Sequence, residues 1–185
     1  MDRFLHTDDR RVLVSIIFPY FLERSEFAKI LFVGCDWYTR GYNAIFKDKE
    51  YWTLDIAPEQ RPFGAENHIT DSLENIAWSF REGELDAIIC NGVFGWGLNA
   101  RYQVERAFQG CFQCLRAGGI LVLGWNDNPE RRPFPPDDCQ SLKLFDHHVF
   151  PPLSTWQYLT ANPNRHIYNF YIKPGNAAPP PSRPV

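Results

Sequence analysis

The sequence predicts an α/β fold, a doubly wound and mostly parallel sheet flanked by helices. Three observations carry this expectation. Apolar runs at residues 30–33, 85–90 and 120–125 read as strands buried on both faces. Helical periodicity separates them, most clearly at residues 7–24 and 100–116. Residues 30–55 form a strand, a glycine, a polar turn, a helix reaching Phe46 and a second strand that ends in an acid. In open parallel sheets ligands bind where strands end in loops, and a glycine there lets backbone approach the ligand. Asp55 follows Gly34 by 21 positions, the spacing at which an acid takes ribose hydroxyls.

Each element has its own signal. In residues 7–24, Thr7, Asp8 or Asp9 caps a helix whose Val12, Leu13, Ile16, Ile17, Tyr20 and Phe21 recur at helical spacing, with Pro19 expected to kink or split it. Pro58, Pro62 and Gly64 make residues 57–66 a loop. A short strand follows at 68–70, then a helix through Phe80 capped by Asp71 or Ser72. The run at 85–90 ends in NGVFGWGLN, a loop whose Phe94 and Trp96 suit either a pocket or packing on a neighbouring helix. The helix at 100–116 is expected to end at Gly118 and Gly119. Its Cys111 and Cys114 spell CxxC, but they sit inside a helix without a second Cys/His pair at zinc spacing, so they read as packing cysteines and no metal is expected. Asn126, Asp127 and Asn128 emerge at the end of the strand at 120–125. A proline-rich loop, a short helix at 138–145 and two strands at 146–150 and 165–172 complete the pattern. His147 and His148 are adjacent on a strand, so at most one faces a cleft.

The chain of 185 residues is expected to form one domain over residues 1–174, followed by an extended or disordered tail at 175–185 that contains four prolines. A net charge of −3 and no basic stripe argue against nucleic acid or an anionic membrane as partner. No apolar run reaches about 18 residues, so no membrane span is expected, and the opening segment lacks the form of a signal peptide. Five cysteines in mostly apolar contexts suit a reducing cytoplasm.

In order and spacing, Gly34, Cys35, Asp55, Asp71, the block LDAIICNG at 85–92 and the block LRAGGILVLGW at 115–125 resemble the class I S-adenosylmethionine-dependent methyltransferases. The resemblance covers roughly residues 28–126 and continues plausibly to Pro174. One block departs from the family's acid-x-Gly-x-Gly-x-Gly loop: those positions are Phe32, Gly34, Asp36 and Tyr38. The resemblance implies a Rossmann-like sheet with an antiparallel last strand, S-adenosylmethionine as cofactor, and methyl transfer to a small-molecule acceptor. It also implies the cofactor site. Gly34 and Cys35 present backbone to the methionine part, and Asp36 or Trp37 stands in for the lost glycines. Asp55, with Ile56 beside it, holds the ribose; Asp71 and Ser72 read adenine; Asn91 lies beside the transferable methyl. Asn91 and Asp127 are the catalytic candidates, with His147 or His148 as further sources of a base. Trp37, Trp96 and Trp125 suggest an apolar, planar or cationic acceptor. Two other readings are a catalytically inactive binding protein on the same fold and a Rossmann dehydrogenase; the second is disfavoured because GCDWYTRG lacks the three-glycine turn for a pyrophosphate.

Overall fold

Runs of β-branched and aromatic residues become strands because their side chains fill both faces of a pleated sheet. The computed structural model describes residues 7–175, so the tail expected at 175–185 lies outside it from residue 176 onward. Among the described residues one sheet has eight strands: β1 (Lys29–Val33), β2 (Glu50–Asp55), β3 (Asn67–Thr70), β4 (Leu85–Asn91), β5 (Leu115–Asn126), β6 (Asp146–His147), β7 (Gln157–Leu159) and β8 (His166–Ile172). Their order is β3-β2-β1-β4-β5-β8-β6, and β7 also pairs with β8. The pairings from β3 to β5 are parallel, whereas β8 runs antiparallel to β5. That reversal bears on the site, because it brings the first residue of β8, His166, opposite Asn126 at the carboxyl edge of the parallel strands.

Two apolar layers close the sheet. Over Leu31, Val33, Ile88, Cys90, Leu121 and Leu123 lie α4 (Ile76–Ser79) and α5 (Arg101–Cys114), the latter through Val104, Ala107, Phe108 and Cys111. Over Ile30, Phe32, Ile89, Val122 and Phe170 lie α1 (Asp8–Val12), a π-helical turn (Leu13–Ile17), α2 (Phe18–Leu22) and, nearer β1, α3 (Tyr42–Ile45). Pro19 has no N–H to return to Ser15, and the π turn just before it absorbs the mismatch, so where a kink or split was expected the helical path continues through a π-helical irregularity.

Several expected helices shrink. Instead of one helix through Phe46, the chain makes a 3-10 turn (Trp37–Thr39) and the single turn of α3. Residues 73–75 form a 3-10 turn ahead of α4, and residues 136–138 and 142–144 form 3-10 turns in place of a helix. The helix expected to run to 116 stops at Cys114, because ladder partners capture the following residues: Leu115 pairs with Leu85, and Gly118 N–H donates to the Lys173 carbonyl at 2.9 Å. Of the strand expected at 146–150 only Asp146–His147 forms a ladder, with Phe150 making an isolated bridge to Thr155, and β7 was not anticipated. Cys111 and Cys114 are free and fully buried, and no His/Cys/Asp/Glu cluster able to hold a metal occurs among the described residues. No helix there is long and apolar enough to cross a membrane.

The segment leaving β5 is fastened to α5 by one carboxylate. Glu105 accepts from Gln140 N at 2.9 Å, Ser141 N at 2.8 Å, Ser141 Oγ at 2.8 Å and Cys139 Sγ at 3.3 Å. Although partial burial opposes ionisation, the amide, hydroxyl and thiol donors together hold its pKa down to about 2 from 4.5. A depressed carboxylate stabilises the fold fully above its unfolded pKa and loses that contribution as pH falls through the folded one. Glu105→Gln is therefore expected to lose about 2 kcal/mol at pH 7, the scale of hydrogen bonds to a charged group, and to show a shallower loss of stability between pH 4.5 and 2. Denaturant midpoints of both proteins across that range check it; parallel curves would refute the anchor.

Candidate active site

Four parallel strand tips meet at one crevice edge. At the end of β1, Gly34 adopts φ +96 and donates its N–H to the Leu54 carbonyl at 3.0 Å. A Cβ there would lie 2.5 Å from the Asn91 carbonyl oxygen and 2.9 Å from Val93 Cγ2, so only glycine lets the β1 and β4 loops approach this closely. The chain then turns across the tip of β2. Asp55 Oδ2 accepts from Cys35 N at 2.7 Å, and Oδ1 accepts from Ala57 N at 2.9 Å. Each carboxylate oxygen retains a further lone pair for a ligand hydroxyl. The buried Cys35 thiol is pushed up to about 12, by burial first and by Asp55 second, which leaves its backbone as the serviceable part.

The residues in place of the lost glycines have local duties. Asp36 caps the 3-10 turn through Trp37 N at 2.7 Å and Thr39, while Trp37 is 37% exposed. Tyr38 turns to α1, where the Arg10 guanidinium lies 3.5 Å from its ring centroid and donates to Tyr42 Oη at 3.2 Å. Phe32, at the position of the family's acid, is fully buried against Phe18 and Tyr42.

At the tip of β3, Asp71 N–H donates to the Asp55 carbonyl at 3.1 Å, which sets the two acids side by side. Asp71 Oδ1 accepts from Ser72 N at 2.7 Å and Asn75 Nδ2 at 2.9 Å, so the Ser72 amide serves the Asp71 carboxylate and Oδ2 is left for another donor. Ile56 stands beside them at 67% exposure.

Toward β4 and β5, Asn91 points its carbonyl at Gly34 and its side chain into the notch left by Gly124, whose Cβ would overlap Asn91 Oδ1. That oxygen is buried without a partner. Asp127 is not drawn into this row: its carboxylate pairs with Arg132 at 2.6 Å and Arg165 at 3.0 Å. His147 stacks on Trp156 at 3.9 Å, and β6 pairs with the far end of β8, so neither His147 nor His148 reaches the crevice. Trp125 is buried and donates to Asn169 Oδ1 at 3.2 Å. Trp37 and Trp96 are the two exposed members of the three tryptophans, and Trp96 lies under Arg131. One residue at this edge escaped the sequence reading: His166, 6% exposed, with Nδ1 2.7 Å from Asn126 Oδ1. Burial lowers its pKa to about 4, with Asp9 raising and Arg10 lowering it, so the ring is neutral at pH 7. Its position as the first residue of a reversed strand was the available signal.

Residues 31–123, half of the chain, match the model of a methyltransferase domain. The chain belongs to that methyltransferase family. Among curated proteins none matches its sequence. Solved structures share the fold at low identity. The N-methyltransferase NodS from Bradyrhizobium japonicum WM9, in complex with S-adenosyl-L-homocysteine, superposes with a TM-score of 0.63 at 13% identity, over 94% of this chain and 92% of its own. A 1,6-didemethyltoxoflavin-N1-methyltransferase from Burkholderia thailandensis, with bound 1,6-didemethyltoxoflavin and S-adenosylhomocysteine, gives 0.60 at 12% identity over 87% and 76%. A TehB-like S-adenosylmethionine-dependent methyltransferase from Corynebacterium glutamicum gives 0.58 at 16% identity over 89% and 93%.

The crevice residues of this methyltransferase-family chain fit S-adenosylmethionine. Adjacent acids at the tips of β2 and β3 suit a nucleoside's sugar and base, and the turn at Gly34 brings backbone rather than a side chain to this edge.

Proposed function

We propose that this methyltransferase acts on a small-molecule acceptor held at the carboxyl ends of β1, β2, β4 and β5. The observation that supports the reading is the Asp55 carboxylate, which spans from β2 to the Cys35 amide of the β1 loop and so suits ribose hydroxyls. In this reading Gly34 and Cys35 offer backbone to the methionine part, Asp36 and Trp37 flank it, and Asp55 with Ile56 holds the ribose. Asp71 takes the exocyclic amine through its spare oxygen, Ser72 keeps Asp71 oriented, and Asn91 lines the methyl end. When bound, S-adenosylmethionine supplies a methyl group already activated on a sulfonium. The chain's own task is alignment of nucleophile and methyl and exclusion of water. The net charge of −3 without a basic stripe supports a small acceptor over nucleic acid, and five free, buried thiols support a cytoplasmic setting.

Calorimetry with S-adenosylhomocysteine tests the cofactor half, with a micromolar dissociation constant expected. Incubation with methyl-labelled cofactor and panels of small amines, phenols and thiols, beside RNA and protein pools, tests the acceptor half. Label appearing only in RNA or protein would overturn the small-molecule reading.

A further inference from the structure

The far end of the polar row holds a base that no cofactor contact uses. Register aligns Asn91 with Gly124, Gly124 with Tyr168, and Asn126 with His166. Ile89 lies two residues from Asn91, and Val122 and Phe170 lie four from Asn126 and His166; all three sit in the core beneath α1 and α2, so Asn91, Asn126 and His166 share that face. Among them are two buried polar atoms without partners, Asn91 Oδ1 and His166 Nε2. Buried polar atoms are ordinarily satisfied, and an orphan at a crevice edge calls for a missing donor.

The chemistry of His166 follows from its single bond. An amide oxygen only accepts, so Asn126 Oδ1 requires the proton on His166 Nδ1, which leaves Nε2 as a bare lone pair in the neutral ring. The charged groups facing the ring are Asp9 and Arg10 of α1, and the neighbouring phenol is Tyr168, whose Oη donates to the Asp9 carbonyl at 3.0 Å. The first turn of α1 covers the ring and is itself tied to the loop before β8, through Ala161 N to Asp8 Oδ2 at 2.7 Å and Asn162 Nδ2 to Asp9 Oδ1 at 2.5 Å. Access to Nε2 therefore requires those two ties to release.

We propose that His166, oriented by Asn126, receives the acceptor's proton, and that the acceptors of this enzyme carry an N–H or O–H at the atom that is methylated. This rests on the methyltransferase reading above and names its substrate class. The step balances: the acceptor heteroatom bonds to the methyl carbon, the carbon–sulfur electron pair leaves with sulfur, and the heteroatom's proton passes to Nε2 and then to solvent. Asn126 is the positioning residue, since it selects the tautomer.

Three measurements test this. In ¹⁵N spectra of the full chain saturated with S-adenosylhomocysteine, His166 is expected to carry its proton on Nδ1; a proton on Nε2 overturns the proposal. In an acceptor panel, turnover is expected with phenols and anilines and absent with dimethyl sulfide and N,N-dimethylaniline; turnover confined to the acceptors without a proton overturns it. His166→Gln is expected to lower kcat at least about hundredfold, the usual scale for a lost general base, with KM changed less than about threefold and S-adenosylhomocysteine affinity unchanged. Should His166→Ala also fold, added imidazole is expected to restore part of its rate. Cofactor binding together with undiminished His166→Gln turnover overturns this inference alone. Failure of wild type to bind S-adenosylhomocysteine removes the reading beneath it.

Discussion

Asp55→Ala is expected to raise the dissociation constant for S-adenosylhomocysteine at least about hundredfold. The side chain serves twice. Its two oxygens receive Cys35 N and Ala57 N at 2.7 and 2.9 Å, which fixes the loops after β1 and β2, and its remaining lone pairs face the place assigned to the ribose. Losing two hydrogen bonds to a charged acceptor at about 1.5 kcal/mol each amounts to about 3 kcal/mol, or roughly two orders of magnitude in affinity. Alanine also releases both amides, so the loop must reorder before it binds. Asp55→Asn separates the two duties. Its one amide oxygen still accepts a backbone N–H, while its NH₂ faces the other, so an intermediate loss is expected. Calorimetry supplies the constants and thermal unfolding confirms the fold. Wild-type affinity in Asp55→Ala would refute the ribose assignment.

Gly34→Ala is expected to lose about 3 kcal/mol of stability, the range for strained backbone combined with overpacking, and to abolish measurable cofactor binding. Two independent features require glycine here. Its φ of +96 is disfavoured for any residue with a Cβ. Its Cβ would also sit 2.5 Å from a carbonyl oxygen that cannot swing away, because Asn91 belongs to β4. Gly41→Ala is the control, since that glycine has φ −74 and open space around its Cβ position. It is expected to unfold at or slightly above the wild-type midpoint. Equal midpoints for Gly34→Ala and wild type would show that the β1 and β4 loops do not meet as described.

Much of the site was legible because its residues lie at the ends of strands that announce themselves. Gly34 and Asp55 bracket a strand-turn-strand unit, and the paired register of β1, β2 and β3 brings Asp55 and Asp71 to neighbouring tips. Helix lengths were less legible. Residues 100–116 have a helical pattern to the end, yet Leu115 is worth more to the ladder beside Leu85 than to one more helical turn. Asp127 carries every local mark of a site residue, and two arginines from separate parts of the chain, Arg132 and Arg165, neutralise it instead.

By itself the sequence determined the alternation of strand and helix, the glycine at the first turn and the acids at the next two strand tips, since each follows from local periodicity and residue type. Only the tertiary structure decided which polar side chains share a face. His166 lies opposite Asn126 because β8 runs backward against β5, and the Asn91 side chain seats beside β5 because Gly124 leaves it a notch. Both outcomes depend on neighbours dozens of residues away, which local pattern does not encode.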